Sequence, residues 1–211
     1  LKNEWQKEID KTPLTVFENV NQRKSKAYTD YLYPQALSDG GVIAMKRGIG
    51  NIEQFVLLKN GREEKQFTPG FVNDAGMLSA EGSKIVWSEY GYDPRWGVRN
   101  YSLIKVYDIS VGMRWVVGGK HARLSGAALS PDAKRVVAIQ SGNDYRNSML
   151  LLDVYTGKKS GQFSAPEDEF YSMPRWSDNG EKIVFLKTGK TGRTISIWDI
   201  EEGTSMNVLP F

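Results

Sequence analysis

The sequence predicts an all-β fold, namely a β-propeller of four four-stranded blades that follow an N-terminal arm. Two motifs that each occur four times, in phase with one another, are the main observations behind this prediction. A unit that repeats about every 40 to 50 residues is typical of propellers, because each unit buries its apolar face against its neighbours. The 21 glycines among the 211 residues also suit short strands joined by tight turns.

The first motif is an apolar residue followed by a serine, a turn and a β-branched pair. Its serines are 41, 51 and 47 residues apart along the chain. A catalytic nucleophile is needed once, whereas a turn residue is needed in every unit, so we interpret these serines as structural residues that bond nearby backbone amides. The four serines are Ser38, Ser79, Ser130 and Ser177.

The second motif is an apolar strand that ends in Lys or Asp and is followed by a glycine turn. The glycines of this motif are 51, 45 and 46 residues apart. Its recurring acids are Asp108, Asp153 and Asp199. A pair of carboxylates can serve as acid and base in a glycosidase. Because these acids recur at equivalent positions, we instead predict that each accepts hydrogen bonds from the backbone of its own turn.

Each unit from Tyr31 onward is predicted to hold four antiparallel strands, with the first strand running into the serine turn. The predicted first strands cover residues 31–37, 73–78, 123–129 and 171–176. The predicted blades cover residues 31–70, 71–120, 121–168 and 169–211. Residues 1–30 are predicted to form an arm or linker, with a short helix that Pro13 ends. A β-sandwich is the alternative fold, but it does not explain why the two motifs stay in phase.

Composition limits the classes of site that the chain can carry. The net charge of +3 is too small to indicate nucleic acid as a partner. No apolar run approaches the roughly 18–20 residues of a membrane-spanning helix. The chain contains no cysteine and one histidine, His121, which leaves too few of the ligands that zinc prefers. We therefore expect no cofactor, metal site or catalytic residue in this chain, and we interpret His121 as a loop residue.

Two of the serine turns carry a family resemblance. The segments Leu129-Ser130-Pro131-Asp132-Ala133-Lys134 and Trp176-Ser177-Asp178-Asn179-Gly180-Glu181-Lys182 resemble the W-S-P-D-G-K core of TolB-type propeller repeats. The resemblance covers residues 31–211, although unit one lacks the proline and unit two has Ala80-Glu81 in place of Pro-Asp. It implies a TolB-like propeller, a ring that commonly has more than four blades, and a periplasmic or cell-surface location.

The second unit carries an insert, Tyr90–Tyr101, between its second and third strands. The segment from Asp93-Pro94-Arg95-Trp96-Gly97 to Tyr101-Ser102 is similar to a loop of large bacterial surface or periplasmic proteins in which a gluzincin-like peptidase domain precedes a TolB-like propeller. This resemblance implies that the chain is the non-catalytic propeller of a larger protein, with adjacent domains of the same polypeptide among its partners.

Insertions at one loop position of a repeat array map to one face, which is often the binding face. Aromatic residues with arginine are common anchors of recognition surfaces. The candidate binding residues are therefore Tyr92, Arg95, Trp96, Arg99 and Tyr101. The alternative is that Trp96 and Tyr101 pack the insert onto its own blade and extend the two strands.

We expect the chain to be a protein- or peptide-binding scaffold without catalysis of its own. The first alternative is an accessory propeller that gates substrate for a protease domain outside this chain. The second is a glycan-binding propeller, in which Tyr92, Arg95 and Trp96 contact sugars.

Overall fold

The structure is a computed structural model that describes residues 2–13, 20, 27–73, 75–97, 100–119 and 122–208. It begins with an exposed helix, α1 (Lys2–Asp10), which ends before Pro13 as the sequence predicts. The extended segment predicted around residues 14–17 lies outside the described residues. Among the residues described, no helix has both the length and the apolar character that crossing a membrane requires.

Four antiparallel sheets follow one another along the chain, and each is one propeller blade. Blades 1, 3 and 4 each contain four strands in sequence order, as predicted. Blade 1 consists of β1 (Thr29–Ala36), β2 (Val42–Gly48), β3 (Asn51–Lys59) and β4 (Arg62–Phe67). Blade 3 consists of β10 (Leu124–Leu129), β11 (Arg135–Ser141), β12 (Asn147–Asp153) and β13 (Lys159–Ser164). Blade 4 consists of β14 (Phe170–Trp176), β15 (Lys182–Gly189), β16 (Gly192–Asp199) and β17 (Ser205–Asn207).

Blade 2 departs from this pattern at its first strand. The sequence predicts one strand over 73–78, but the structure divides it into β5 (Val72–Asn73) and β6 (Ser79–Glu81), with a 3-10 turn at Ala75–Met77 between them. Both short strands pair with β7 (Lys84–Tyr92), which also pairs with β8 (Asn100–Asp108). The last strand is β9 (Met113–Val117). The prediction of a continuous strand was wrong because it assigned the apolar residues Met77 and Leu78 to a strand. In the structure both side chains are buried, but Met77 lies in the 3-10 turn and Leu78 directly follows it.

Among the described residues, three apolar clusters hold neighbouring blades together. The cluster between blades 1 and 2 includes Ile43, Phe55, Ile85 and Trp87. The cluster between blades 2 and 3 includes Val86, Ile104, Leu129 and Val136. The cluster between blades 3 and 4 includes Val137, Met149, Ile183 and Phe185. Side chains on the two faces of one strand pack into different clusters, so the inner blades are apolar on both faces. Burial of these faces is the main source of stability.

The alternation of strand direction gives each blade two distinct ends. The Ser-turn end carries the connections from first to second strand and from third to fourth strand. The hairpin end carries the hairpins between second and third strands, together with the connections between blades. In blade 2 this hairpin is the insert, so the candidate binding residues lie at the hairpin end.

Candidate functional site

The insert forms a hairpin that continues the two central strands of blade 2. Its backbone pairs Tyr90 with Ser102, Gly91 with Tyr101 and Tyr92 with Asn100, in register with the rest of β7 and β8. The extension of the two strands, which is one part of the packing alternative, is therefore present. It lengthens the blade beyond the cluster that packs against blade 1 and places residues 93–97 at the tip of the hairpin.

Asp93 organises the base of this tip. Its carboxylate accepts a hydrogen bond from the backbone N–H of Arg95 at 2.8 Å and another from the Tyr101 hydroxyl at 3.3 Å. The bond from Tyr101 joins the two sides of the hairpin, so Tyr101 contributes to the shape of the loop. Arg99, a further candidate from the sequence, lies outside the described residues.

Several aromatic side chains at the hairpin end are exposed to solvent. Trp96 is 61% exposed and Tyr92 is 66% exposed, so neither ring is buried against its own blade. Tyr90 contacts Phe71 with 5.6 Å between ring centroids, and Tyr145 lies 88% exposed in the hairpin of blade 3. We call Phe71, Tyr90, Tyr92, Trp96 and Tyr145 the aromatic rim.

Phe71 and Tyr145 were not among the candidates from the sequence. Each belongs to an ordinary connection that carries no insert, so the count of residues between motifs does not single it out. The turn residues Gly142, Asn143 and Asp144 just before Tyr145 are the signal in the sequence, because they place this tyrosine at the tip of a tight hairpin.

A polar cleft of about 480 Å³ lies beside the aromatic rim, between blades 2 and 3. Its volume falls within the range of small-ligand sites. The backbone N–H of Ser102 donates to Ala122 at 3.1 Å, and the N–H of Ser141 donates to Arg123 at 3.0 Å, so main-chain bonds support the cleft. The lining residues include Asp93, Tyr101, Arg123, Gln140 and Asn143. They offer hydrogen-bond donors and acceptors, and they include one acidic and one basic side chain, Asp93 and Arg123.

A buried glutamate supports the insert from below. Glu89 is 3% exposed, and its carboxylate accepts hydrogen bonds from the Trp87 indole at 2.8 Å and from the Gly70 backbone at 2.9 Å. It also pairs with Lys105 at 2.5 Å. Burial raises the pKa of Glu89, but the hydrogen bonds from Lys105, Trp87 and Gly70 and the charge of Lys105 outweigh burial, so its pKa lies below the ordinary value.

The four recurring serines occupy three kinds of environment. The Ser130 hydroxyl accepts from the Arg135 backbone N–H at 2.9 Å and donates to Asp132 at 2.6 Å. Ser177 makes the equivalent bonds with Lys182 at 3.0 Å and Asn179 at 2.7 Å. Each of these hydroxyls therefore closes the backbone of its own turn.

Ser38 and Ser79 are placed differently. Ser38 is exposed, and the carboxylate of Asp39 instead accepts from the Gly41 backbone at 2.9 Å. Ser79 does not lie in a turn, which corrects its assignment as a turn residue, because strand β6 begins there and pairs it with Val86. Its hydroxyl accepts from the Leu129 backbone N–H at 3.1 Å and so joins blade 2 to blade 3.

The recurring acids bond to the turns that follow them. Asp108 accepts from the Ser110 backbone N–H at 3.0 Å, Asp153 from Thr156 at 2.7 Å and Asp199 from Glu202 at 3.1 Å. The three carboxylates thus lie in separate turns, one in each of blades 2, 3 and 4.

Ionisable side chains do not form a candidate metal centre in the described part of the chain. Within those residues, no three His, Asp or Glu side chains come close enough together to hold a metal ion. His121 lies outside the residues that the structure describes. The aromatic rim and the adjacent cleft are therefore the features that define the candidate site.

Comparison with solved structures agrees with the predicted TolB-like propeller fold. TolB from Acinetobacter baumannii matches with a TM-score of 0.67 and 16% identity over 89% of this chain and 45% of its own. An oligogalacturonate lyase from Vibrio parahaemolyticus matches with a TM-score of 0.64 and 18% identity over 89% of this chain and 55% of its own. The β-propeller domain of the Trilobed protease from Pyrococcus furiosus matches with a TM-score of 0.50 and 14% identity over 86% of this chain and 58% of its own.

These matches establish the fold alone, because sequence identities of 14–18% are too low to carry a function from one protein to another. The chain spans about half the length of each of the three structures. No family model matches the sequence, and no curated protein matches it either. The solved structures include propellers that belong to enzymes, so the fold is compatible with more than one role.

Proposed function

We propose that the chain is a non-catalytic propeller scaffold that binds a protein or peptide partner at its hairpin end. The observation that carries this proposal is the aromatic rim, whose large rings remain exposed beside a polar cleft. Exposed clusters of large apolar side chains mark interaction sites more often than chance, and aromatic residues are frequent anchors of interfaces.

The two ends of blade 2 differ in a way that supports this choice. At the Ser-turn end, the exposed apolar side chains of blade 2 are the aliphatic Val111 and Met113. At the hairpin end, the same blade exposes Tyr92 and Trp96. The cleft next to them can bond the main-chain amides and polar side chains of a peptide while the rings cover its apolar side chains.

The proposal includes a setting in a larger bacterial envelope protein, at the periplasm or cell surface. This setting rests on the TolB-type resemblance of the turns around Ser130 and Ser177 and on the similarity of the sequence from Asp93 to Ser102 to a loop of such proteins. Fractionation of cells that produce the complete polypeptide tests the location, and recovery in the cytoplasm would contradict it.

Binding can be tested with peptides displayed on phage and selected on the wild-type chain. In the double variant Arg95→Ala, Trp96→Ala, selected peptides should bind at least about tenfold more weakly, because the variant removes two candidate anchors. The thermal stability should not change, since both side chains are exposed. The matched control is Val111→Ala, Met113→Ala, which removes two exposed side chains at the opposite end of blade 2 and should retain binding.

Two results would overturn the proposal: that no peptide is enriched on the wild-type chain, or that the enriched peptides bind both double variants equally well. A large loss of stability in the Arg95→Ala, Trp96→Ala variant would instead assign the insert to packing.

A glycan-binding propeller is the second candidate, because an exposed tryptophan next to a polar cleft also suits a sugar ring. One of the similar structures is an oligogalacturonate lyase, which adds an acidic oligosaccharide to the ligands worth testing. An array of neutral and acidic oligosaccharides distinguishes the two candidates, and the absence of binding to any sugar would exclude this one.

A role in gating substrate for a protease domain is a third candidate, since one similar structure is the propeller domain of a protease. A His-Glu-x-x-His helix in a neighbouring domain of the same polypeptide would favour it. In that case the Arg95→Ala, Trp96→Ala variant should change the cleavage of long peptides more than that of short ones.

A further inference from the structure

A second cavity, of about 300 Å³, lies at the Ser-turn end, opposite the aromatic rim. The residues that line it come from the first strand of each of the four blades or from the turn directly after that strand. We call it the axial cavity, because the four first strands converge on it. Its lining includes Gln35, Ser79, Glu81, Leu129, Trp176 and Asp178.

Two carboxylates line the axial cavity, one from blade 2 and one from blade 4. Glu81 is half-buried at the end of β6, and Asp178 lies exposed in the Ser turn of blade 4. In the part of the chain that the structure describes, neither carboxylate accepts a hydrogen bond or pairs with a Lys or Arg side chain. Burial and the negative charge of Asp178 raise the pKa of Glu81. The two acids are therefore close enough to repel each other.

The cation that lines the same cavity is engaged by a different group. The Nη2 atom of Arg175 donates to the carbonyl oxygen of Gly76 at 3.3 Å, which joins blade 4 to the 3-10 turn of blade 2. A cation that balanced the charge of Glu81 would lower its pKa, whereas burial and Asp178 both raise it. Arg175 therefore leaves the negative charge of Glu81 uncompensated.

Two neutral polar groups of the cavity also have bonding capacity left. Ser79 is 7% exposed, and its hydroxyl oxygen accepts from the Leu129 backbone N–H at 3.1 Å. Among the described residues, the proton of this buried hydroxyl has no acceptor, which points to a partner from outside the chain. The amide nitrogen of Gln35 donates to the Pro34 carbonyl at 2.9 Å, which leaves the amide oxygen as an acceptor.

We propose that the axial cavity binds a primary ammonium group of a polypeptide, on a lysine side chain or at an amino terminus, with Glu81 and Asp178 as its counter-charges. An ammonium group has three N–H donors, and Glu81, Asp178 and Gln35 offer oxygen acceptors from three different blades. The Ser79 proton then bonds a main-chain carbonyl of the same ligand. The carbon atoms next to the ammonium group contact Leu129 and Trp176.

A divalent metal ion suits this cavity less well than an ammonium group does. Within the residues that the structure describes, no three His, Asp or Glu side chains come close enough together to hold a metal ion. The axial cavity lies at the opposite end of the blades from the aromatic rim, so this proposal goes beyond the proposed function. Failure of peptide binding at the hairpin end would leave it standing.

NMR titration of the ¹⁵N-labelled chain with three small probes tests this site. Nα-acetyl-lysine N-methylamide presents a side-chain ammonium group, and alanine N-methylamide presents an amino-terminal one. Nα,Nε-diacetyl-lysine N-methylamide is the matched neutral probe. At least one ammonium probe should shift the Leu129 amide and Trp176 indole resonances saturably, with a Kd on the order of 1 mM. The neutral probe should bind at least about tenfold more weakly, and the tighter ammonium probe identifies the source of the group.

Two variants remove one negative charge each with little change in shape. Glu81→Gln and Asp178→Asn should each weaken binding of the tighter ammonium probe at least about fivefold. The matched control is Glu201→Gln, at an exposed carboxylate in the turn between the third and fourth strands of blade 4, and it should retain binding. Saturation of the wild-type chain should also lower the pKa of Glu81, followed by its carboxyl ¹³C shift, because the ammonium group offsets the charge of Asp178.

Four results would overturn the proposal: no saturable shift with either ammonium probe, equal affinity for the neutral probe, unchanged affinity in both Glu81→Gln and Asp178→Asn, or tighter binding of calcium chloride at the same resonances. The last result would assign the cavity to a metal ion. If a variant fails to fold, the affinities of the wild-type chain for the charged and neutral probes still decide the outcome.

Discussion

Blades 2 and 3 share a strand register, yet they use their equivalent residues differently. Blade 3 has a continuous first strand, and Ser130 closes the turn after it. Blade 2 has a divided first strand, its serine bonds to blade 3, and its central strands extend into the insert. The regular blade uses its recurring serine for its own turn, whereas the irregular blade uses its serine between blades, and its insert displays Tyr92 and Trp96 to solvent.

Among the polar side chains, the largest expected effect concerns the ion pair of Glu89 and Lys105, which supports the insert in blade 2. Glu89→Ala should lower the free energy of unfolding by about 3 kcal/mol, because it leaves Lys105 and two hydrogen-bond donors without their acceptor. Urea unfolding followed by fluorescence measures this effect. The control in blade 3 is Asp144→Ala, which breaks an exposed pair with Arg146 and should cost less than about 1 kcal/mol. If both substitutions lowered the free energy of unfolding equally, the Glu89–Lys105 pair would stabilise the chain no more than an exposed ion pair does.

The same carboxylate predicts a dependence of stability on pH. The pKa of Glu89 is lower in the folded chain than its ordinary value, so its contribution is complete above the ordinary glutamate pKa. The contribution is lost as the pH falls through the lower, folded-state pKa. Stability should therefore fall less steeply with acidification in Glu89→Gln than in the wild-type chain. If the urea midpoints of the wild-type chain and of Glu89→Gln fell equally steeply as the pH is lowered, this assignment would be contradicted.

A smaller effect is expected at the turn serines. Ser130→Ala should lower the free energy of unfolding by about 1 to 2 kcal/mol, because Ser130 is buried and the part-buried N–H of Arg135 loses its acceptor. Ser38→Ala is the matched control in blade 1, where the hydroxyl is exposed, and should cost less than about 0.5 kcal/mol. Thermal unfolding of both variants measures the difference, and a reversed order would mean that the turn of blade 1 depends on its serine.

The smallest expected change in stability concerns the aromatic rim. Trp96→Ala should alter the free energy of unfolding by less than about 0.5 kcal/mol, because its ring is mostly exposed. Trp87→Ala in the same strand pair is the buried counterpart and should cost about 3 to 5 kcal/mol. If Trp96→Ala destabilised the chain by a comparable amount, the insert would have a packing role and the contrast between the two blades would be lost.

Much of the fold could be predicted because its signals are local and repeated. Turn residues such as Asp132 and Gly180 lie where the first strands end, and the alternation of apolar residues marks the second and third strands. The division of the first strand of blade 2 could not be predicted, because Met77 and Leu78 are apolar and buried in both arrangements. Burial depends on which surface a residue contacts, and that information is not local.

The candidate site was predictable only in part. The extra length between the motifs of blade 2 pointed to the insert and to Tyr92 and Trp96. Tyr145 comes close to the same cleft only because the hairpins of blades 2 and 3 are neighbours in space. The spacing of the motifs along the sequence does not show which hairpins are neighbours. The contribution of Arg123 to the cleft has the same origin, since the strand of blade 3 that follows it packs against blade 2.

The amino-acid sequence of this chain was sufficient for the number of blades, the turn chemistry and the position of the insert, because each depends on residues within a few positions of one another. The three-dimensional packing was needed for the partner of Ser79, the exposure of Trp96 and the axial cavity that residues of all four blades line. These features depend on contacts between residues that are far apart in the chain, and such contacts form only when whole sheets are stacked.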